Sequence, residues 1–274
     1  MRPTRTNKIF AVILCGLIIW FPNCGKSPSA PDNTPPAVPS QNTMFVDLSF
    51  FKTNSTSQPI RPDTPQPKFN FLAALTVVTA FNAAVLIGLS IPAAATAAAL
   101  SVEPQLKSDG KFHWNFSYPE NNPTLTLELT AEVRPAAVLW EMLITSQLPP
   151  LEGFRWYEGQ SDLDGSNGTW QFYDLHQPTP TVQTVLIEWE LVADDDRTLT
   201  FANVQQGTPG FGDLLSYQLD GEDVRMVFYD AGEDDSVHVA WNTATGEGFI
   251  IAPNYMDGQQ ACWDSTQNDV SCPN

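Results

Sequence analysis

Basic residues are scarce in this chain, and their scarcity excludes one large class of partners. The sequence has 13 Lys and Arg residues against 31 Asp and Glu residues, which gives a formal net charge of −18. No cluster of basic residues occurs after the first eight positions. Because proteins that bind nucleic acid neutralise its phosphates with Lys and Arg, we expect no nucleic-acid partner.

Histidines and catalytic motifs are also few. The three histidines, His113, His176 and His238, are scattered along the chain. The sequence contains no Gly-x-Ser-x-Gly motif, no Gly-rich phosphate loop and no dinucleotide fingerprint. These absences argue against a nucleophilic triad and against a nucleotide cofactor. We therefore expect no cofactor, and we expect a binding or structural protein more than an enzyme.

Charged residues are missing from two stretches, of which the first has the pattern of an export signal. Basic residues among the first eight positions precede the uncharged, mostly apolar run 9–21, which has the length of a signal peptide. Cys24 follows, and a tract rich in Pro and Ser comes after it. This arrangement resembles a bacterial lipoprotein signal, in which a signal peptide (1–23) is removed and the cysteine becomes the acylated first residue.

The lipoprotein resemblance implies both a location and a partner. A chain acylated at Cys24 would bind a membrane through its lipid, at the outer membrane or the surface of a bacterial cell envelope. Residues 24–43 have too little apolar surface to fold and would form a disordered linker. The usual lipobox has Leu three places before the cysteine and a small residue directly before it, where this chain has Phe21 and Asn23. An uncleaved anchor, or ordinary cleavage giving a secreted or periplasmic protein, therefore stays open.

Cysteine is rare, and its positions predict one disulfide. Of the four cysteines, Cys15 lies inside the export signal and Cys24 at the lipidation position. The other two, Cys262 and Cys272, lie close together near the C-terminus. Two cysteines in an exported chain most simply pair with each other. A metal site would need further ligands nearby, and no histidine follows His238.

The second uncharged stretch, 69–102, is long enough to span a membrane. Asn82 and Pro92 argue against a single membrane-spanning helix. The side-chain amide of Asn82 would need a hydrogen-bond partner in the membrane, and Pro92 favours the first turn of a new helix. We therefore favour two helices, roughly 70–88 and 92–101, buried in a core. A transmembrane helix stays the alternative.

The rest of the chain alternates between apolar and polar residues in short runs, which is typical of β-strands. The run KFHWNFSY places Phe112 and Trp114 on one face and His113 on the other. Asp-Gly and Asn-Gly turns separate such runs. We predict a mainly β fold, a curved antiparallel meander of roughly ten to twelve strands, as a half-barrel or barrel. It would pack on the apolar helices near 70–101, within a single domain of residues 44–274.

This architecture is similar to the half-barrel with helices of bacterial lipoprotein carriers of the LolA and LolB kind. The resemblance is one of architecture and transfers no functional residues. A hydrophobic small molecule between sheet and helices, or an envelope partner, would then be the ligand.

Two acidic motifs offer weaker chemical alternatives. Asp162 and Asp164 begin the loop DLDGSNG, whose oxygens suggest calcium, but the loop fails the EF-hand pattern and a hairpin turn explains it better. Glu188 and Glu190 flank Trp189 and so share one strand face, at a backbone separation of roughly 6.5–7 Å that is compatible with glycoside hydrolysis. Because the apolar residues of that strand lie on the other face, the glutamates are expected to face solvent.

Tryptophan is abundant, with eight residues, and most of it is expected in the core. Four tryptophans alternate in phase with the apolar residues of their strands: Trp114, Trp170, Trp189 and Trp241. A position in the hydrophobic core is therefore favoured for them over a carbohydrate- or lipid-binding surface. Trp263 is the best candidate for exposure. The sequence as a whole predicts a non-enzymatic envelope lipoprotein. An envelope hydrolase and a purely structural surface protein are the alternatives.

Overall fold

In the part of the chain that the structure describes, fourteen β-strands form one antiparallel sheet. The computed structural model describes residues 34–51, 67–81, 87–118, 125–177 and 179–273, and Pro35–Asn274 form one compact unit. The strands are β1 (Gln105–Leu106), β2 (Phe112–Tyr118), β3 (Leu125–Val133), β4 (Val138–Gln147), β5 (Pro150–Ser161), β6 (Asn167–Tyr173), β7 (Gln183–Ala193), β8 (Asp196–Asn203), β9 (Leu214–Asp220), β10 (Asp223–Asp230), β11 (Asp235–Asn242), β12 (Gly248–Ile251), β13 (Ala261–Trp263) and β14 (Asp269–Val270).

Each strand pairs with the strand before it and the strand after it, so the sheet is a meander. The order runs from β1 to β14, and these two end strands do not pair with each other. The predicted mainly β fold and antiparallel meander are therefore confirmed, as an open sheet and not a closed barrel. The structure has more strands than predicted, partly because β1 and β14 have two residues each and are too short to show alternation.

One face of the sheet is apolar and buried on almost every strand. Its side chains include Trp114, Leu129, Trp140, Tyr157, Trp170, Ile187, Leu199, Tyr217, Met226, Val239, Ile250 and Ala261. A flat sheet of this many strands would be roughly 60 Å wide, about three times the length of a 13-residue helix. Burial across so wide a sheet therefore requires the sheet to curve around the segments that cover this inner face.

Two α-helices precede the sheet, α1 (Phe69–Phe81) and α2 (Ile87–Ala99). Pro92 lies inside α2 and not in its first turn, so the predicted start of the second helix is wrong. Pro has no N–H to donate within the helix interior. The carbonyl group of Pro92 accepts a hydrogen bond from the side-chain hydroxyl of Thr96, at 3.0 Å. No helix within the described ranges combines the length and apolarity needed to cross a membrane.

The helices contact the sheet through specific side chains. The ring of Phe71 in α1 meets Trp263 edge to face, with centroids 5.8 Å apart. In α2, the Thr96 hydroxyl lies 2.7 Å from that of Tyr157 on β5. The wider prediction, that the helices cover the apolar face, stays a prediction.

The segment before α1 contacts the inner face, through Thr43 to Trp170 and through Phe51 to Trp241. Met44, Val46 and Leu48 are buried whereas Phe45 is 44% exposed, an alternation that resembles that of a strand. The segment nevertheless forms no strand, because it lies across the face of the sheet and not beside an edge. The 3₁₀ helix η1 (Gln41–Thr43) precedes it, at the end of the stretch that the sequence assigns to the linker. A second 3₁₀ helix, η2, is Met256–Gly258.

Two side chains expected at the surface are buried. Trp263 is 1% exposed, and its indole N–H donates to the carbonyl of Gly246 at 3.0 Å. His113 is 7% exposed, because Asp109 and Glu128 contact its two ring nitrogens. The predictions for the signal peptide (1–23), Cys24 and Asn82 concern residues outside the described ranges.

Candidate binding surfaces

A groove of about 690 Å³ lies on the face of the sheet opposite to the core, across strands β9 to β14. Its floor is a row of side chains that face one another on successive strands. Arg225 on β10 lies between Gln218 and Ala240. Phe249 on β12 lies between Ala240 and Cys262. Because Gln218, Arg225, Ala240 and Phe249 alternate with more buried residues along their strands, their side chains point outward.

Acidic and amide side chains form the walls of this groove. They are Asp220, Asp223, Glu247, Asp264, Gln218, Gln260 and Asn242. Burial alone would raise the pKa of Asp264, but hydrogen bonds from Thr266 and Asn268 outweigh it and hold that pKa below its ordinary value. The Asp264 carboxyl is therefore ionised at neutral pH and already receives the backbone N–H of Thr266 at 2.8 Å.

The groove offers many hydrogen-bonding groups around one apolar ring. Carboxylates accept hydrogen bonds, Arg225 donates them, and Gln side chains do both. Phe249 supplies a flat apolar surface between them. A ligand with several hydroxyl groups and an apolar face can satisfy both kinds of contact.

Glu188 and Glu190 lie in a second outward groove, of about 560 Å³, on strands β5 to β8. Both are exposed, on the face opposite to the buried Trp189. Glu188 lies between Thr169 and Thr200 on the neighbouring strands. The groove also includes Asp162, so it holds three carboxylates among hydroxyl groups.

Asp162 and Asp164 lie in the turn between β5 and β6, and the turn uses their carboxyl groups. Asp162 accepts a hydrogen bond from the side-chain amide of Asn167. Asp164 accepts the backbone N–H of Ser166 at 3.0 Å, and this bond lowers the pKa of its carboxyl group. Gly165, between Asp164 and Ser166, has a φ angle of 71°, a backbone conformation that favours glycine. Within the described ranges, no group of three or more His, Cys, Asp or Glu is placed to hold a metal ion.

The C-terminal cysteines are paired. The sulfur atoms of Cys262 and Cys272 lie 2.12 Å apart, at bonding distance, and their Cα atoms are 5.2 Å apart. Cys262 also contributes to the lining of the groove on β9 to β14. The disulfide thus fixes the β13–β14 end of that surface.

Sequence analysis missed Arg225 and Phe249, and also a buried cation, Arg197. Arg225 and Phe249 lie on different strands, and only the register of the sheet brings them together. Arg197 could have been found, because it alternates with Leu199 and Phe201 and therefore falls on the apolar face of its strand. Charged residues are rarely fully buried, so a charged residue in the alternating pattern of a buried face is an exception that can be read from the sequence.

Comparisons of the chain with protein-family models, with curated proteins and with solved structures found no match.

Proposed function

We propose that this protein is a non-enzymatic, lipid-anchored binding protein of a bacterial cell envelope, and that the groove on β9 to β14 takes a polyhydroxylated ligand such as a surface glycan. The observation that carries the proposal is the outward row in which Phe249 and the exposed Arg225 flank Ala240, enclosed by carboxylate and amide side chains. Such walls suit hydroxyl groups, and the ring suits the apolar face of a sugar.

The location rests on the sequence. The apolar run 9–21, Cys24 and the Pro-rich tract support export and lipid attachment. A protein held at the envelope by a lipid would present the groove to the polysaccharides of that surface. The net charge of −18 supports the exclusion of nucleic acid as the ligand.

A hydrophobic small molecule is the weaker alternative as ligand. Trp140 and Trp170, which lie on the inner face, are at most 2% exposed because protein atoms already cover them. A ligand between sheet and helices would have to displace such contacts. The outward groove is open and mixed in polarity, so it favours a polar ligand.

Electrophoresis in native gels that contain dextran, a β-glucan or a bacterial capsular polysaccharide tests the glycan proposal. We expect at least one of these polysaccharides to retard the full chain, and Phe249→Ala to lose most of that retardation. Phe211→Ala is the control, because Phe211 is an exposed phenylalanine, at 51%, that lies outside the groove. Migration unaffected by all three polysaccharides would contradict the proposal. Salt-sensitive binding to polylysine alone would indicate a cationic ligand instead.

One observation favours a second candidate, an envelope hydrolase. Glu188 and Glu190 share one groove, and their backbone separation of roughly 6.5–7 Å is compatible with a pair of catalytic carboxylates. Against it, such an enzyme keeps one carboxylic acid protonated by burial or by a neighbouring charge, and both glutamates are exposed. Release of reducing ends from the same polysaccharides, abolished in Glu188→Gln and Glu190→Gln, would favour the hydrolase.

A further inference from the structure

The two outward grooves lie on one continuous row of side chains. Asn167 on β6 faces Glu190 on β7, and Glu190 faces Thr198 on β8. These three residues line the groove on β5 to β8. Thr198 in turn faces Gln218 on β9, which lines the groove on β9 to β14. The two grooves therefore meet at a pair of directly opposed residues, Thr198 and Gln218.

From Gln218 the row continues across the second groove, through Arg225 and Ala240 to Phe249 on β12. This long row has one residue on each of seven successive strands: Asn167, Glu190, Thr198, Gln218, Arg225, Ala240 and Phe249. Because neighbouring strands lie roughly 4.8 Å apart, the long row measures roughly 29 Å along the sheet.

The strand pairing is regular along the whole of the long row. The β6–β7 pair shifts register between Gln171 and Tyr173, and the β7–β8 pair shifts between Leu191 and Ala193. Both shifts lie outside the row. Consecutive members of the row are therefore directly opposed, and they present one outward side chain per strand at an even spacing.

A ligand can reach the long row over most of its length. Its first five members, from Asn167 to Arg225, are exposed, and its last two, Ala240 and Phe249, are half-buried. The exposed members supply amide, carboxylate, hydroxyl and guanidinium groups, which together donate and accept hydrogen bonds. The ring of Phe249 adds a flat apolar surface at one end.

The charge of the two grooves restricts the kind of ligand. Seven carboxylates and one guanidinium line them, namely Asp162, Glu188, Glu190, Asp220, Asp223, Glu247, Asp264 and Arg225. A polymer that carries regularly spaced negative charges would be repelled by such a surface. Hydroxyl groups, in contrast, can donate hydrogen bonds to carboxylates. The lining therefore suits an uncharged chain that is rich in hydroxyl groups.

We propose that the long row is one extended site that binds a linear, uncharged polysaccharide lying across the strands, so that both grooves hold parts of the same chain. This inference rests on the proposed function, because it extends the glycan site on β9 to β14 and gives Glu190 a role in binding. A repeating ligand suits the row, since the strand spacing of roughly 4.8 Å is close to the length of one sugar along an extended chain. Contact in the first groove makes contact in the second intramolecular, which raises the affinity for a long chain.

Calorimetric titration of the full chain with oligosaccharides of a β-glucan and of dextran, from disaccharide to octasaccharide, tests this inference. We expect the affinity for one of the two series to rise roughly tenfold or more over that range. Combined Glu190→Ala and Thr198→Ala should remove most of the rise, whereas Phe249→Ala should weaken the binding of every length. Combined Glu152→Ala and Thr126→Ala is the matched control, because both residues are exposed on strands and lie outside the two grooves.

Failure of the long row and failure of the glycan site give different results. Absence of binding to every oligosaccharide and polysaccharide would overturn both proposals. Affinity that does not depend on chain length, or a rise that the variant at Glu190 and Thr198 keeps in full, would overturn the long row and leave the groove on β9 to β14 as the site. Binding to an acidic capsular polysaccharide, but to neither uncharged series, would also overturn it.

Discussion

Gly168 faces Trp189 across the β6–β7 pair, and the indole ring lies where a side chain on Gly168 would be. A Cβ atom on Gly168 would come within 2.6 Å of Cζ2 of Trp189 and within 2.2 Å of the carbonyl oxygen of Gln160. Real Cβ atoms do not approach this closely, so only glycine allows the ring its present position.

The same relationship recurs twice along the sheet. Gly159 faces Trp170, and a Cβ atom there would lie 2.3 Å from the ring. Gly248 faces Trp263 at the same distance. These pairs explain how wide aromatic rings fit on the inner face of a sheet that curves.

Gly168→Ala should destabilise the fold by about 1–3 kcal/mol, the usual effect of excess volume in a packed core. Urea unfolding measures the loss as a lower transition midpoint. Gly232→Ala is the control, because Gly232 is exposed in a turn and a Cβ atom there meets only the Asp230 carboxylate, at 3.2 Å. Identical midpoints for the two variants would show that the ring can move aside.

The inward position of tryptophans such as Trp189 could be predicted from the sequence, but their glycine partners could not. Alternation assigns each strand its two faces, because side chains point to opposite sides in turn. Which residue of the next strand lies opposite depends on the register, which one sequence does not determine. The outward row of Arg225 and Phe249 was missed for the same reason.

His113 was expected at the surface for a different reason. Alternation assigned His113 to the outer face, and outer faces are usually wet. Here Asp109 and Glu128 contact the two ring nitrogens, and Lys107 in turn bonds to Glu128, so the ring is buried. Tertiary neighbours of this kind override a local pattern.

Asn70, in the first turn of α1, joins this helix to the C-terminal end of the sheet. Its side-chain NH₂ group donates a hydrogen bond to the backbone carbonyl of Cys262 at 2.7 Å. Its side-chain oxygen accepts a hydrogen bond from the hydroxyl of Tyr255 at 2.6 Å. Asn70→Ala should leave the buried carbonyl of Cys262 unsatisfied, remove the bond to the partly buried Tyr255, and lower the free energy of unfolding by about 1–3 kcal/mol. Chemical denaturation measures the change.

Thr76→Ala is the control for Asn70, since Thr76 is exposed on the same helix and bonds only to Leu72 within it. Tyr255→Phe removes one hydroxyl, and combining it with Asn70→Ala completes a double-mutant cycle. We expect the combined loss to be smaller than the sum of the single losses. Additive losses would show that the hydrogen bond between Asn70 and Tyr255 contributes nothing.

Glu128 should make the stability of the fold depend on acidic pH. Burial alone would raise its pKa, but hydrogen bonds from Lys107 and His113 outweigh burial and hold the pKa below its ordinary value of 4.5. Because the folded pKa is the lower one, the ionised group stabilises the fold above that value. This contribution is lost as the pH falls through the folded pKa.

Glu128→Gln should therefore flatten the fall in the free energy of unfolding between about pH 5 and pH 3. Urea titrations at several pH values measure this slope. Glu152→Gln should leave it unchanged, because Glu152 is an exposed residue on β5. Parallel pH profiles for the unmodified protein and Glu128→Gln would contradict the role assigned to this carboxylate.

Cys24 is the residue on which the proposed location depends. If it carries lipid, growth of the bacterial host with a clickable fatty acid should label the protein, and Cys24→Ser should abolish the label and release the protein from membranes. One acyl chain holds a protein only weakly whereas two or more hold it firmly, so release should be nearly complete. Cys15→Ser is the matched control and should keep the label, because Cys15 lies within the predicted signal peptide. Labelling that persists in Cys24→Ser would place the lipid elsewhere or indicate an uncleaved apolar anchor.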